Sequence, residues 1–247
     1  MNDKSELYHG FEFFKARIKS AKKQISNDYE IIFLDRLSNQ LDSFVNTNIC
    51  VGSFSTVRDS LSQWRAYGDD GGGVAIGFRS KYFKRISTNP EINLWKCIYR
   101  PKLKQQILDE IIDTVRNKYL NLYNKFRDEK EFDQLVSGLV AEFNYTFLQV
   151  SSILKNQNFA VEDEWRLITE SISYKNPNYH AQIGAERVKQ YFSIDFNQLD
   201  SKKYGIIKEI VVGPTTDSLS VASTIGVLLD NKGYNHENIH NSQIPYK

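Results

Sequence analysis

A chain of 247 residues, 40% hydrophobic and 13% aromatic, has the material for a sizeable core in one large domain or two small ones. Its net charge of +2 leaves no nucleic-acid footprint by itself, and it holds no apolar run of about eighteen residues that could cross a membrane. Two cysteines and four histidines, none at ligand spacing, argue against zinc, and Cys50 and Cys97 read as buried reduced thiols of a cytosolic protein.

Residues 4–26 read as a helix, because Leu7, Phe11, Phe14, Ile18, Ala21 and Ile25 recur three and four apart on one stripe. Ile32, Phe33, Leu37, Leu41 and Phe44 suggest a second helix, and a strand over 49–55 follows. "DSLSQWRAYG" then reads as a short helix with Asp59 as its N-cap. "GDDGGG" invites a phosphate-loop reading, which fails: the glycines match neither phosphate-binding pattern, and a strand follows, "GVAIGF", rather than a helix. The plain reading is a turn needing positive φ at Gly71, Gly72 or Gly73. "LWKCIYR" (94–100) is a third strand, stopped by Pro101.

A helical hairpin is expected next. One stripe joins Leu103, Ile107, Ile111, Val115, Tyr119, Leu122 and Phe126; a second, after a break near 128–130, joins Phe132, Leu135, Val136, Leu139, Phe143 and Leu148. Strands are expected at 164–170, 191–196 and 206–214. A helix capped by Thr215 to Asp217 covers 216–231, ended by Asn231 and Gly233, and "ENIHNSQIPY" is extended. The fold class is α+β: a mainly antiparallel mixed sheet with N-terminal helices and a helical hairpin inserted at about 102–156, in a single domain over 1–247. Its parts are 1–48, 49–100, 102–156 and 159–247. Lys102, Lys104, Arg116, Lys118, Lys125 and Arg127 on the hairpin alternate with acids such as Asp109, Glu110 and Asp113, so they read as a solvated face rather than a nucleic-acid groove.

Three constellations could carry chemistry. In "SFST", Ser53 and Ser55 point to one face of a strand and Phe54 to the other, toward the core; the hydroxyls either order an acidic side chain or a ribose, or merely fill an edge strand. Trp64 and Tyr67 share a helical face with Arg65 between them, either as an aromatic wall for a planar ring or as core anchors. Glu162, Asp163 and Glu164 stand in a row at a strand entry. If that segment is extended, Glu162, Glu164 and Arg166 share a face, so one carboxylate is a candidate general base and Arg166 its partner. The alternative is a solvated acidic turn with a structural Glu–Arg pair.

These residues carry a resemblance. "NDKSE" at Asn2–Glu6, "SFS…DSLSQWRAYG…GVAIGF" at Ser53–Phe78, Phe159–Arg166, "EIVVGP" at Glu209–Pro214 and "S-x-I-P-Y" at Ser242–Tyr246 together resemble the bacterial family called domain of unknown function 2971. That resemblance implies a cytosolic protein, in some members from mobile or anti-phage defence neighbourhoods. More distantly, a hydroxyl strand followed by Glu-x-Glu is similar to ADP-ribosyltransferases of the Arg–Ser–Glu type. It implies NAD as substrate, no metal and no prosthetic group. Carried over, Ser53 and Ser55 are the strand hydroxyls, Glu164 the ribose-binding glutamate that supports an oxocarbenium-like state, Glu162 the acceptor-side glutamate, and Trp64 or Tyr67 the ring that stacks on nicotinamide. The family's preceding strand and helix, which would bring the Arg or His that grips the dinucleotide, are expected to be missing, since the chain starts on the "ND-x-x-E" motif. The competing expectation is a non-catalytic module that binds or senses a small nucleotide.

Overall fold

The computed structural model describes residues 4–41, 49–126, 129–170, 172–173, 175–184, 188–195, 205–214, 217–234 and 238–245, with the side chains of 4–7 and 129 left aside. No helix among the described residues is long and apolar enough to cross a membrane. The chain forms two compact units: 1–52 with 95–161, and 53–94 with 162–247. The first gathers the N-terminal helices and the inserted hairpin; the second gathers most of the strands, from 53–94 and from 162–247. The α+β class holds.

Among its described residues the first unit is built on four α-helices: α1 (Lys4–Lys22), α2 (Asp28–Leu41), α5 (Pro101–Lys125) and α6 (Glu129–Ser151). Asn27 caps α2, its side-chain oxygen accepting the Tyr29 N–H at 3.0 Å, and Asp28 and Glu30 add negative charge to the first turn. Pro101, expected to stop a strand, instead opens α5 at its first position, where a missing N–H costs nothing. The apolar stripes meet in one core. Phe14 and Phe147 pack edge to face at 4.6 Å, and Phe33 stacks on Tyr119 at 4.2 Å. Gly10 lets α1 approach α6, since a Cβ there would come within 2.9 Å of the Ser151 backbone.

Three stripes are corrected. Ile32 is 64% exposed, and α2 buries Leu34 beside Phe33, Leu37 and Leu41. In α5 the buried line is Lys104, Leu108, Ile112, Val115 and Tyr119, one residue on from the expected Leu103, Ile107 and Ile111. Lys104 therefore leaves the solvated face: its ammonium donates to the Lys155 carbonyl at 2.5 Å, and burial lowers its pKa. Leu135, at 37% exposure, likewise stands outside its stripe. Arg116 pairs with Glu30 at 2.8 Å and Lys118 with Glu142 at 2.6 Å. Cys97 is buried and Cys50 only half-buried; neither forms a disulfide. Phe44 and Arg127 lie outside the described residues.

The second unit carries the strands β1 (Val51–Ser55), β2 (Val74–Phe78), β3 (Ile92–Lys96), β4 (Glu164–Thr169), β5 (Tyr179–Ile183), β6 (Val188–Phe192), β7 (Ile207–Val212) and β8 (Ile239–Asn241), with the unit boundaries falling inside β1 and β3. It also holds α3 (Leu61–Tyr67), α4 (Ser80–Ile86) and α7 (Ser218–Lys232). The single expected sheet is three separate ones among the described residues: β1–β4–β3, β2–β7–β8 and the hairpin β5–β6. β2 and β7 run antiparallel, Ile76 opposite Ile210, while β7 and β8 are parallel. β6 begins earlier than the expected 191–196 strand, because its partner β5 fixes the register with Tyr179 opposite Phe192. Cys97 to Arg100 leave β3, and Ile98 bridges to Leu154 instead. Gly233 ends α7 at φ 73 as expected; Thr215, Thr216, Phe196 and Tyr246 lie outside the described residues.

Candidate functional site

β1 and β4 are neighbours, so the hydroxyl strand and the Glu-x-Glu segment do come together. Phe54 turns inward as expected and packs against Phe83 at 4.7 Å, which leaves Ser53 and Ser55 on the outer, exposed face. The Ser55 hydroxyl donates to the Glu162 carbonyl at 2.6 Å and accepts the Val57 N–H at 2.9 Å. Beside it, the Thr56 hydroxyl donates to the Asp163 carboxylate, and the Thr56 N–H to the Asp163 carbonyl at 3.3 Å. The hydroxyls thus hold the backbone entering β4.

That entry is bent. Gln157–Glu162 is a 3₁₀ turn, and Asp163 sits at φ 41, in the left-handed region that non-glycine residues rarely visit. The alternation that would give Glu162 and Glu164 one face therefore breaks between them. Glu162 stays half-buried at the end of the turn. Glu164 opens β4 and lies on its buried face with Arg166, two residues on. Arg166 holds it with two bonds, Nε to Oε1 at 2.7 Å and Nη2 to Oε2 at 3.3 Å. Glu164 is 4% exposed and Arg166 2%. A carboxylate so enclosed has its charge offset by a forked guanidinium and is turned away from water.

α3 divides its aromatics. Trp64 is 4% exposed, a core anchor rather than a wall, and its Nε1 donates to Asp59 Oδ1 at 2.6 Å. Tyr67 stands 75% exposed beside the exposed Arg65. Asp59 does not cap the helix; Ser60 occupies that position. It instead gathers three donors, adding the Ser242 hydroxyl to Oδ1 at 2.8 Å and the Gln243 N–H to Oδ2 at 2.9 Å. Burial works to raise the Asp59 pKa, but the bonds from Trp64, Gln243 and Ser242 and the charge of Arg58 bring it below the usual carboxylate value.

Arg58 reaches Glu209 of β7 at 2.8 Å, and Glu209 lies over Gly77, where a Cβ would come within 2.7 Å of it. The glycine turn is punctuation. Asp69 and Asp70 have φ 48 and 50 and Gly71 φ 93, and Gly213 packs so closely that a Cβ on it would strike the Gly71 carbonyl. The quoted motifs therefore converge: Asp59 with Ser242, Arg58 with Glu209, Gly71 with Gly213. The roles of Thr56, Asp163 and Asp59 escape a reading by residue type, although each stands inside a stretch singled out above.

No curated protein and no solved structure matches the chain. Residues 63–167, from α3 through the helical hairpin into β4, match the model of a family described as "Protein of unknown function (DUF2971)".

Proposed function

We propose that the chain is a ligand-binding or sensor module for a small nucleotide, in which the β1–β4 pair is a brace and the exposed rim of α3 meets the ligand. The burial of Glu164 carries this reading. The glutamate that would support a developing oxocarbenium ion is already clamped by Arg166 and 4% exposed. Tyr67 and Arg65 remain open to solvent, a ring and a guanidinium suited to stacking on a base. The resemblance to the family outside 63–167 is part of the proposal; Asp59, beyond the match, accepts from the Trp64 anchor and from Ser242, which also lies beyond it. So are its bacterial, cytosolic and defence or mobile-element settings.

Incubation with labelled NAD, alongside thermal shifts with NAD and ADP-ribose, tests the reading. A ligand that binds only the folded state raises the melting temperature. The expected result is a shift without nicotinamide release, reduced by Tyr67→Ala. Nicotinamide release that Glu162→Gln or Glu164→Gln removes, in variants whose circular dichroism is unchanged, overturns it.

That outcome would favour the second reading, an ADP-ribosyltransferase-like or NAD-cleaving enzyme. One observation speaks for it: the Ser55–Glu162 bond sets the hydroxyl strand beside Glu-x-Glu, as the resemblance implies. It requires a substrate hydroxyl to displace Arg166 from Glu164.

A further inference from the structure

At the end of β2 opposite the glycine turn, an open cleft of about 820 Å³ is lined by Phe78, Arg79, Ser80, Lys81, Tyr82, Gly205 and Lys208. That volume lies in the range of small-molecule sites. Among the described residues its lining holds three cations, a serine hydroxyl and no carboxylate. A narrower recess of about 140 Å³ adjoins it, sharing Arg79 and Lys208 and lined inward by Leu229, Tyr234, Asn238 and Ile239. Glu209 also borders this recess, and it already answers Arg58 at 2.8 Å and Lys208 at 3.5 Å. Among the described residues the cations therefore outnumber the acids at the cleft.

The local folding holds the cations there. Arg79 N–H bonds the Ile206 carbonyl at 2.9 Å, which ties the end of β2 to the start of β7, and Arg79 and Lys208 line the same cleft. Lys81 lies over the Tyr82 ring at 4.8 Å, and Tyr82 is 1% exposed, so the floor under Lys81 is fixed. A cleft that is cationic at its mouth and mostly apolar within, with one amide at its end, suits a ligand whose phosphates meet Arg79, Lys81 and Lys208 and whose planar group enters between Leu229, Tyr234 and Ile239. Asn238 offers that group a donor and an acceptor.

We infer that this cleft is a second binding site, for a nucleoside polyphosphate, separate from β1–β4 and from the α3 rim and independent of the function proposed above. Isothermal titration with ATP, tripolyphosphate and adenosine tests it, on the full chain and on Arg79→Ala, Lys81→Glu and Lys208→Ala. All three side chains are exposed, so these changes spare the core. ATP is expected to bind more tightly than either fragment. Arg79→Ala and Lys208→Ala should each weaken it roughly tenfold or more, the scale of a lost charge-assisted bond. Added salt should weaken it further. Tyr67→Ala should leave it unchanged.

Tripolyphosphate binding as tightly as ATP would remove the recess from the proposal and overturn it as a nucleotide site. ATP affinity unmoved by the three cation variants, or no heat with ATP at all, would overturn it outright. ATP affinity lost with Tyr67→Ala but kept in Arg79→Ala would assign the nucleotide to the α3 rim; the present inference would then fall while the preceding one stood.

Discussion

Asp59 shows how one side chain can join two distant parts of the sequence. Trp64, Ser242 and Gln243 donate to it, and Arg58 beside it adds positive charge. A carboxylate whose pKa is depressed on folding contributes stability that is present above its unfolded value and lost as the pH falls through the folded one. Asp59→Asn should therefore cost about 1–3 kcal/mol near neutral pH. The gap to wild type should close as the pH drops below the ordinary value of 3.8, as measured by urea unfolding across that range.

The Glu164–Arg166 pair makes a second residue-scale prediction. Removing one partner leaves the other charge buried, so Glu164→Gln should cost about 3 kcal/mol. Glu164→Leu with Arg166→Met should recover most of that, because both charges leave together. A neutral Glu164→Gln would show that the clamp is not what holds β4. This pair was legible in the sequence, since i and i+2 share a strand face. The donors to Asp59 were not, because Ser242 is remote along the chain and a hydroxyl carries no sign of its partner.

Among the elements, glycines separate close packing from turn geometry. Gly138 in α6 has open space around it. Gly138→Ala should add about 0.5–1 kcal/mol by raising helix propensity. Gly213→Ala should prevent the second unit from folding, because the new methyl strikes the Gly71 carbonyl backbone and neither segment can yield cheaply. Thermal melts of the two variants, shifting in opposite directions, check both statements. Helices were the legible elements, since their stripes recur for several turns. α5 slipped by one residue because Lys104 is buried, its ammonium over the Phe13 ring at 6.0 Å and bonded to the Lys155 carbonyl, which residue polarity alone does not announce. β5 and β6 were harder: Ile183 and Val188 are exposed at 85% and 61%, so no buried face imprints an alternation on the sequence.

For the whole molecule, stability should be uneven. Phe14, Leu34, Leu37, Leu41, Leu108 and Phe147 are fully buried in one aromatic and aliphatic cluster. The β5–β6 hairpin exposes most of its side chains. Amide exchange should be slowest in α1, α2, α5 and α6 and fastest in β5 and β6; equal protection in the hairpin and the four helices would contradict this. The inserted hairpin was visible in the sequence. Its grouping with the N-terminal helices was not, because no single stripe says which other stripe it meets.

The interleaving of the two units also orders their birth on the ribosome. Every segment of the helical unit has been made once residue 161 is joined, whereas β1 must wait for β4, and Asp59 for Ser242 near the end of the chain. At roughly 5–20 residues per second, the stretch from 162 to 247 takes several seconds to emerge. Through that interval the helices can close their core while the strands 53–94 hold a place for partners that do not yet exist.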